Sequence, residues 1–133
     1  MFTDREIEVV RGTWAKASAD PDAAAALFYG KLFETAPAVK PLFTADMKDQ
    51  GRKLMQMIGI AVNNMEDVGK IVPALIELGE RHEGYGAEDE HYPVVGEVLI
   101  DTLRTALGDE FTDEADLAWA KTYAAVAAVM LSR

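Results

Sequence analysis

A chain of 133 residues with half its positions apolar is long enough to enclose one core and short for two, so residues 1–133 read as a single domain. Cysteine is absent, which excludes disulfides, thiolate metal sites, cysteine nucleophiles and cofactors tethered through sulfur. The formal charge of -10 speaks against nucleic acid, whose phosphates call for clustered Lys and Arg.

In chain order the pattern is helical throughout, without the period-two alternation of a half-buried strand. Thr3 and Glu6 have the form of a capping box, and Ile7, Val10, Trp14 and Ala17 follow at spacings of three and four. Asp20 and Pro21 supply an N-cap and a first-turn proline for a second helix through Leu27, Phe28, Leu32 and Phe33, which Pro37 stops. Pro37 to Phe43 reads as a short helical turn ending in an aromatic. From about Asp46 a third helix aligns Met47, Gln50, Leu54, Met57 and Ala61, with Arg52, Lys53 and Gln56 off that stripe.

A fourth helix, from about Glu66, aligns Val68, Ile71, Leu75, Leu78 and His82 and stops at Gly84, Tyr85 and Gly86. Pro93 opens a fifth that carries Val95, Val98, Thr102 and Ala106 and closes at Gly108. Thr112 caps a sixth, with Trp119, Tyr123, Val126 and Met130 on its face. The first residues hold acids among the apolar ones and have no secretory h-region. The longest uncharged stretches fall short of the roughly 20 apolar residues that a bilayer helix needs. A soluble cytoplasmic protein, without membrane contact, is expected.

Hydrolytic and nucleotide chemistry find no footing. There is no G-x-S-x-G elbow, both serines (Ser18 and Ser132) sit at helix ends, and phosphate-loop and dinucleotide signatures are missing. The 23 acids scatter over polar faces and do not pair on an apolar one. Two polar residues stand out on apolar stripes, Gln50 and His82, in a chain with 2 histidines. A lone histidine in that setting is more often a hydrogen-bonded core residue than a ligand, and Gln50 can be a helix-face residue whose amide reaches solvent. Periodicity leaves both alternatives open.

The blocks FYGKLFETAPAVKPLF (Phe28 to Phe43), QGRKLMQ, ELGERH and HYPVVGE, in this order and spacing, resemble the bacterial single-domain haemoglobins. These are similar to the haem domain of flavohaemoglobins, and the likeness runs from about Thr3 to the last helix. The resemblance implies an all-α globin fold, a three-over-three helical sandwich around haem b, with His82 as the iron ligand. It further implies that Phe43 packs on the haem, that Tyr29 and Gln50 donate hydrogen bonds to a distal ligand, and that Leu54 lines the pocket. The full first helix, the HYPVVGE block and the missing glycine-glycine pairs separate the chain from the truncated globins.

On the same resemblance, Arg52, Lys53 and Arg81 flank the haem propionates, although ordinary solvated helix faces explain each of them equally well. His91 falls near the haem edge or is simply a loop histidine. Tyr92 matches the tyrosine that flavohaemoglobins pair with a glutamate behind the proximal histidine. That glutamate would fall just past Arg133, and the last helix has none after Glu114. The second nitrogen of His82 is therefore expected to donate to a backbone carbonyl one turn earlier.

The implied function is reversible binding of dioxygen, carbon monoxide or nitric oxide, for storage, delivery or sensing. A second reading is oxidation of nitric oxide to nitrate, which requires a separate reductase, since no G-x-G-x-x-G motif is present. A haem-free interaction module ranks last, because His82, Phe43, Tyr29 and Gln50 are all retained.

Overall fold

Four helices begin where a short polar side chain takes over an unpaired backbone donor. In α1 (Asp4–Ala17) the Thr3 hydroxyl accepts from the Glu6 N–H at 3.1 Å, and the Glu6 carboxylate accepts from the Thr3 N–H at 2.8 Å, closing the expected capping box. Asp20 accepts from the Ala23 N–H at 3.2 Å to start α2 (Pro21–Thr35), and Asp46 from the Lys48 N–H at 2.8 Å to start α3 (Met47–Asn63). Thr112 accepts from the Ala115 N–H at 3.1 Å to start α6 (Asp113–Leu131). Between α2 and α3, Pro37–Leu42 winds as a tighter 3-10 segment that delivers Phe43, as expected. This computed structural model describes residues 2–44 and 46–132, and among them there is no strand. No helix among them is long and apolar enough to cross a membrane.

The fourth helix starts later than the pattern suggests. α4 covers Val72–Gly84 and is preceded by a 3-10 turn at Val68–Ile71. Pro73 lacks an N–H and its ring crowds the carbonyl of Gly69, so α-type bonding cannot run through from Glu66 and restarts with the proline in the first turn. At the other end Gly86 takes φ +96, a left-handed conformation that glycine adopts readily. The Gly86 and Ala87 N–H groups thereby reach the carbonyls of Glu83 and His82 at 3.0 and 2.9 Å.

α5 (His91–Leu107) begins ahead of Pro93, which sits in the first turn, where a missing N–H goes unnoticed. Its buried face comprises Val98, Leu99, Thr102, Leu103 and Leu107, whereas Ala106 is exposed. In α1 Thr13 is buried together with Ile7, Val10 and Ala17, and Trp14 is only half-buried. Thr13 tolerates burial because its hydroxyl donates to the Val9 carbonyl at 2.8 Å and accepts from the Trp119 indole N–H at 2.8 Å.

α1, α2, α5 and α6 close around a main core that includes Val10, Phe28, Leu32, Leu103 and Trp119, and α3 adds Val62. A smaller cluster of Ile71, Leu75, Tyr92, Ala127 and Met130 lies beneath α4. α3 packs mainly on α2 and α1, whereas α4 packs mainly on α6, and α3 reaches the cluster beneath α4 through Met57 and Ala61. The residues that matter below therefore stand on helices held from different sides of the molecule.

Candidate functional site

The α2–α3 crossing is tight. A Cβ added at Gly51 would lie 2.9 Å from the Ala25 methyl, so glycine lets α3 come down onto α2 beside Gln50 and one turn from Tyr29. Tyr29 is buried, and its ring stacks on Phe33 at 5.9 Å and meets Phe28 and Phe43 edge-on at 5.1 and 5.4 Å. Burial pushes the Tyr29 hydroxyl above its ordinary 10.0, partly opposed by hydrogen bonding with the Gln50 side chain. The phenol is thus a neutral donor at physiological pH, with an amide beside it.

The structure brings Tyr29, Gln50 and Phe43 together. Phe33, which also contacts Phe43 at 5.3 Å, completes the aromatic group. Sequence reasoning placed Phe33 only on the helix face; its spacing of four from Tyr29 is the signal that the two rings stack. Leu54 turns to a different neighbourhood, where it lines a small pocket of about 20 Å³ with Phe28, Ile58, Leu99 and Leu103. A groove of about 500 Å³ runs along the α2–α3 crossing past Ala26, Tyr29, Phe33, Met47 and Gly51. Neither space is lined by His82.

His82 is half-buried near the end of α4, and its Nδ1 lies 2.8 Å from the Leu78 carbonyl oxygen, one turn earlier, as expected. A carbonyl can only accept, so Nδ1 carries the proton, and Nε2 is the ring nitrogen left for a ligand. The Tyr85 ring lies 6.2 Å from the imidazole. Among the described residues no three His, Cys, Asp or Glu side chains form a metal cage. A single fixed imidazole suits a metal that arrives already held in a macrocycle.

The remaining candidates are dispersed. Arg52, Lys53 and Arg81 are exposed, and Arg52 is paired at 3.6 Å with Asp49 on its own helix. His91 is half-buried, and its Nδ1 accepts from the Glu88 N–H at 3.0 Å, which spends that nitrogen on closing the turn into α5. Tyr92 is buried in the cluster beneath α4, and its carbonyl accepts from the Tyr123 hydroxyl at 2.6 Å.

A family model described as Globin matches residues 26–130. The chain belongs to the globin family. This globin is 28% identical to a flavohemoprotein of Bacillus subtilis over 130 residues, 96% of the chain but 33% of the relative, and so spans about a third of that protein. It is also 28% identical to neuroglobin-2 of Oncorhynchus mykiss, over 97% of the chain and 90% of the relative.

An engineered carbene transferase, made from a Rhodothermus marinus protein named for nitric oxide dioxygenase activity, superposes with a TM-score of 0.88 at 23% identity, over 99% of this chain and 92% of that one. A bacterial globin from Campylobacter jejuni superposes with a TM-score of 0.85 at 23% identity, over 98% and 94%. These likenesses speak for the fold, and the all-α, three-over-three expectation holds.

Globins are haem proteins, and the donor set of this one fits the group. His82 offers one oriented nitrogen. On α3 the apolar stripe of Met47, Leu54, Met57 and Ala61 is only half-buried along its whole length. An apolar face of that kind suits a flat hydrophobic partner.

Proposed function

We propose that this globin, as one domain over residues 1–133, holds haem b through Nε2 of His82 and reversibly binds dioxygen, carbon monoxide or nitric oxide. Bound haem supplies the iron at which the diatomic ligand sits. Tyr29 and Gln50 supply donors for the negative charge that such a ligand gathers, while Phe43 packs on the ring. Arg52, Lys53, Arg81 and His91 are candidates for propionate contact, and Tyr92 backs the proximal side.

The observation that carries this reading is the hydrogen bond between His82 Nδ1 and the Leu78 carbonyl, which fixes the tautomer a ligand requires. A neutral carbonyl lends the imidazole less electron density than a carboxylate would. The proximal side is thus suited to holding dioxygen rather than to activating peroxide. The purified protein is expected to show an intense Soret band. His82→Gly should lose the proximal-ligated spectrum and regain it when imidazole is added; a normal spectrum in the variant without imidazole would overturn the assignment.

A second reading, dioxygenation of nitric oxide with a separate reductase, draws support from the likeness to the flavohemoprotein and to the protein named for that activity. Nitrate yield from nitric oxide, with and without an added reductase, distinguishes it from simple binding.

A further inference from the structure

α4 rests along α6, and no other α-helix approaches its backbone to a comparable extent. The tightest point of that contact is Gly79, which is buried and lies one turn before His82. A Cβ at this position would fall 2.2 Å from the carbonyl oxygen of Met130 and 2.9 Å from its carbonyl carbon. These are backbone atoms, which cannot swing aside as the tip of a side chain can. The seam beside it is filled by Leu75, Ala127 and Met130, so no space is left to absorb an added methyl.

The imidazole is tied to the same helix. Its Nδ1 is bonded to the Leu78 carbonyl, immediately before Gly79, so the ring and this turn of α4 move as one body. We propose that Gly79 is a positioning residue: by letting α4 settle onto the α6 backbone at Met130, it sets where the His82 imidazole stands. The proposal rests on the reading of His82 as the haem ligand. Any larger side chain at 79 lifts α4 off α6 and carries Nε2 with it. Gly84 provides the control, since a Cβ there meets nothing within 4 Å on the same helix.

The test uses the haem-loaded ferrous protein, read by the iron–histidine stretching frequency and by the rate of carbon monoxide association. Gly79→Ala is expected to shift the frequency and change association several-fold, while Gly84→Ala leaves both at the parent values. In a His82→Gly background with imidazole supplied from solution, the ligand is no longer tied to α4, and adding Gly79→Ala should then change neither reading. An unshifted frequency in Gly79→Ala, or an effect that persists with free imidazole, overturns the proposal. Should Gly79→Ala not fold, Ala127→Val thickens the same seam from the α6 side and carries the same two expectations. A parent spectrum that survives His82→Gly without imidazole refutes the ligand reading itself, a result distinct from a failure at Gly79.

Discussion

The Tyr29 hydroxyl is held among the rings of Phe28, Phe33 and Phe43 with the Gln50 amide beside it. Removing either donor should weaken the hold on a charge-gathering ligand by about 1 kcal/mol, or roughly fivefold in rate. Tyr29→Phe and Gln50→Leu are each expected to speed dioxygen dissociation by about that factor while altering carbon monoxide dissociation much less. Stopped-flow displacement measures both, and unchanged dioxygen off-rates in the two variants would falsify the distal assignment. Residue types on a stripe revealed Gln50 and His82 as unusual, but not that Gln50 meets Tyr29. That meeting depends on how closely two helices cross, and the Gly51–Ala25 contact that decides it joins residues far apart in sequence. The family resemblance supplied the pairing that periodicity could not.

At the scale of the element, starts and stops were the legible part, because caps act on backbone groups a few residues away. Thr3, Asp20, Asp46 and Thr112 cap where their positions indicate. The face of a helix was less legible: Thr13 is buried through a bond to Trp119, and Ala106 is exposed because α5 turns Leu103 and Leu107 inward. Periodicity carried α4 through Pro73, where the missing N–H shortens it. Gly86 gives a direct test of the stop. With φ +96 and Leu42 Cδ2 3.2 Å from an added Cβ, Gly86→Ala should cost about 1–2 kcal/mol in urea unfolding. Gly84→Ala, two residues earlier and unobstructed, should be neutral or slightly stabilising. Equal midpoints for the two variants would show that the left-handed turn is not what ends α4.

For the whole molecule, pH dependence follows from a few groups. Burial raises the Tyr29 and Tyr123 hydroxyls above their ordinary 10.0, with the Tyr92 phenol adding to the effect at Tyr123. A raised folded-state value means that the neutral form is favoured in the fold. Their contribution is therefore complete below pH 10 and is lost as pH rises from there towards the folded values. Unfolding midpoints should stay level between about pH 8 and 9.5 and decline above 10, with a shallower decline in Tyr123→Phe, followed by urea denaturation. At the acid end, Glu6 is held below its ordinary 4.5 by the Thr3 N–H and by Lys121, and Glu114 by Arg5. Their contribution is present above 4.5 and fades as pH falls through the lowered values; Glu114 is exposed and Glu6 half-buried at the surface, so the acid decline from them should be slight and salt-sensitive.

That α4 rests chiefly on α6 has a consequence for local opening. Amides open in units set by how many packed neighbours hold them, and a helix with one main supporting neighbour can detach without unfolding the rest. In the protein stripped of haem, the backbone N–H groups of α4 should exchange with deuterium well ahead of those of α6, and binding of haem at His82 should slow them selectively. Protection along 72–84 then becomes a gauge of occupancy, legible peptide by peptide in a mass spectrometer.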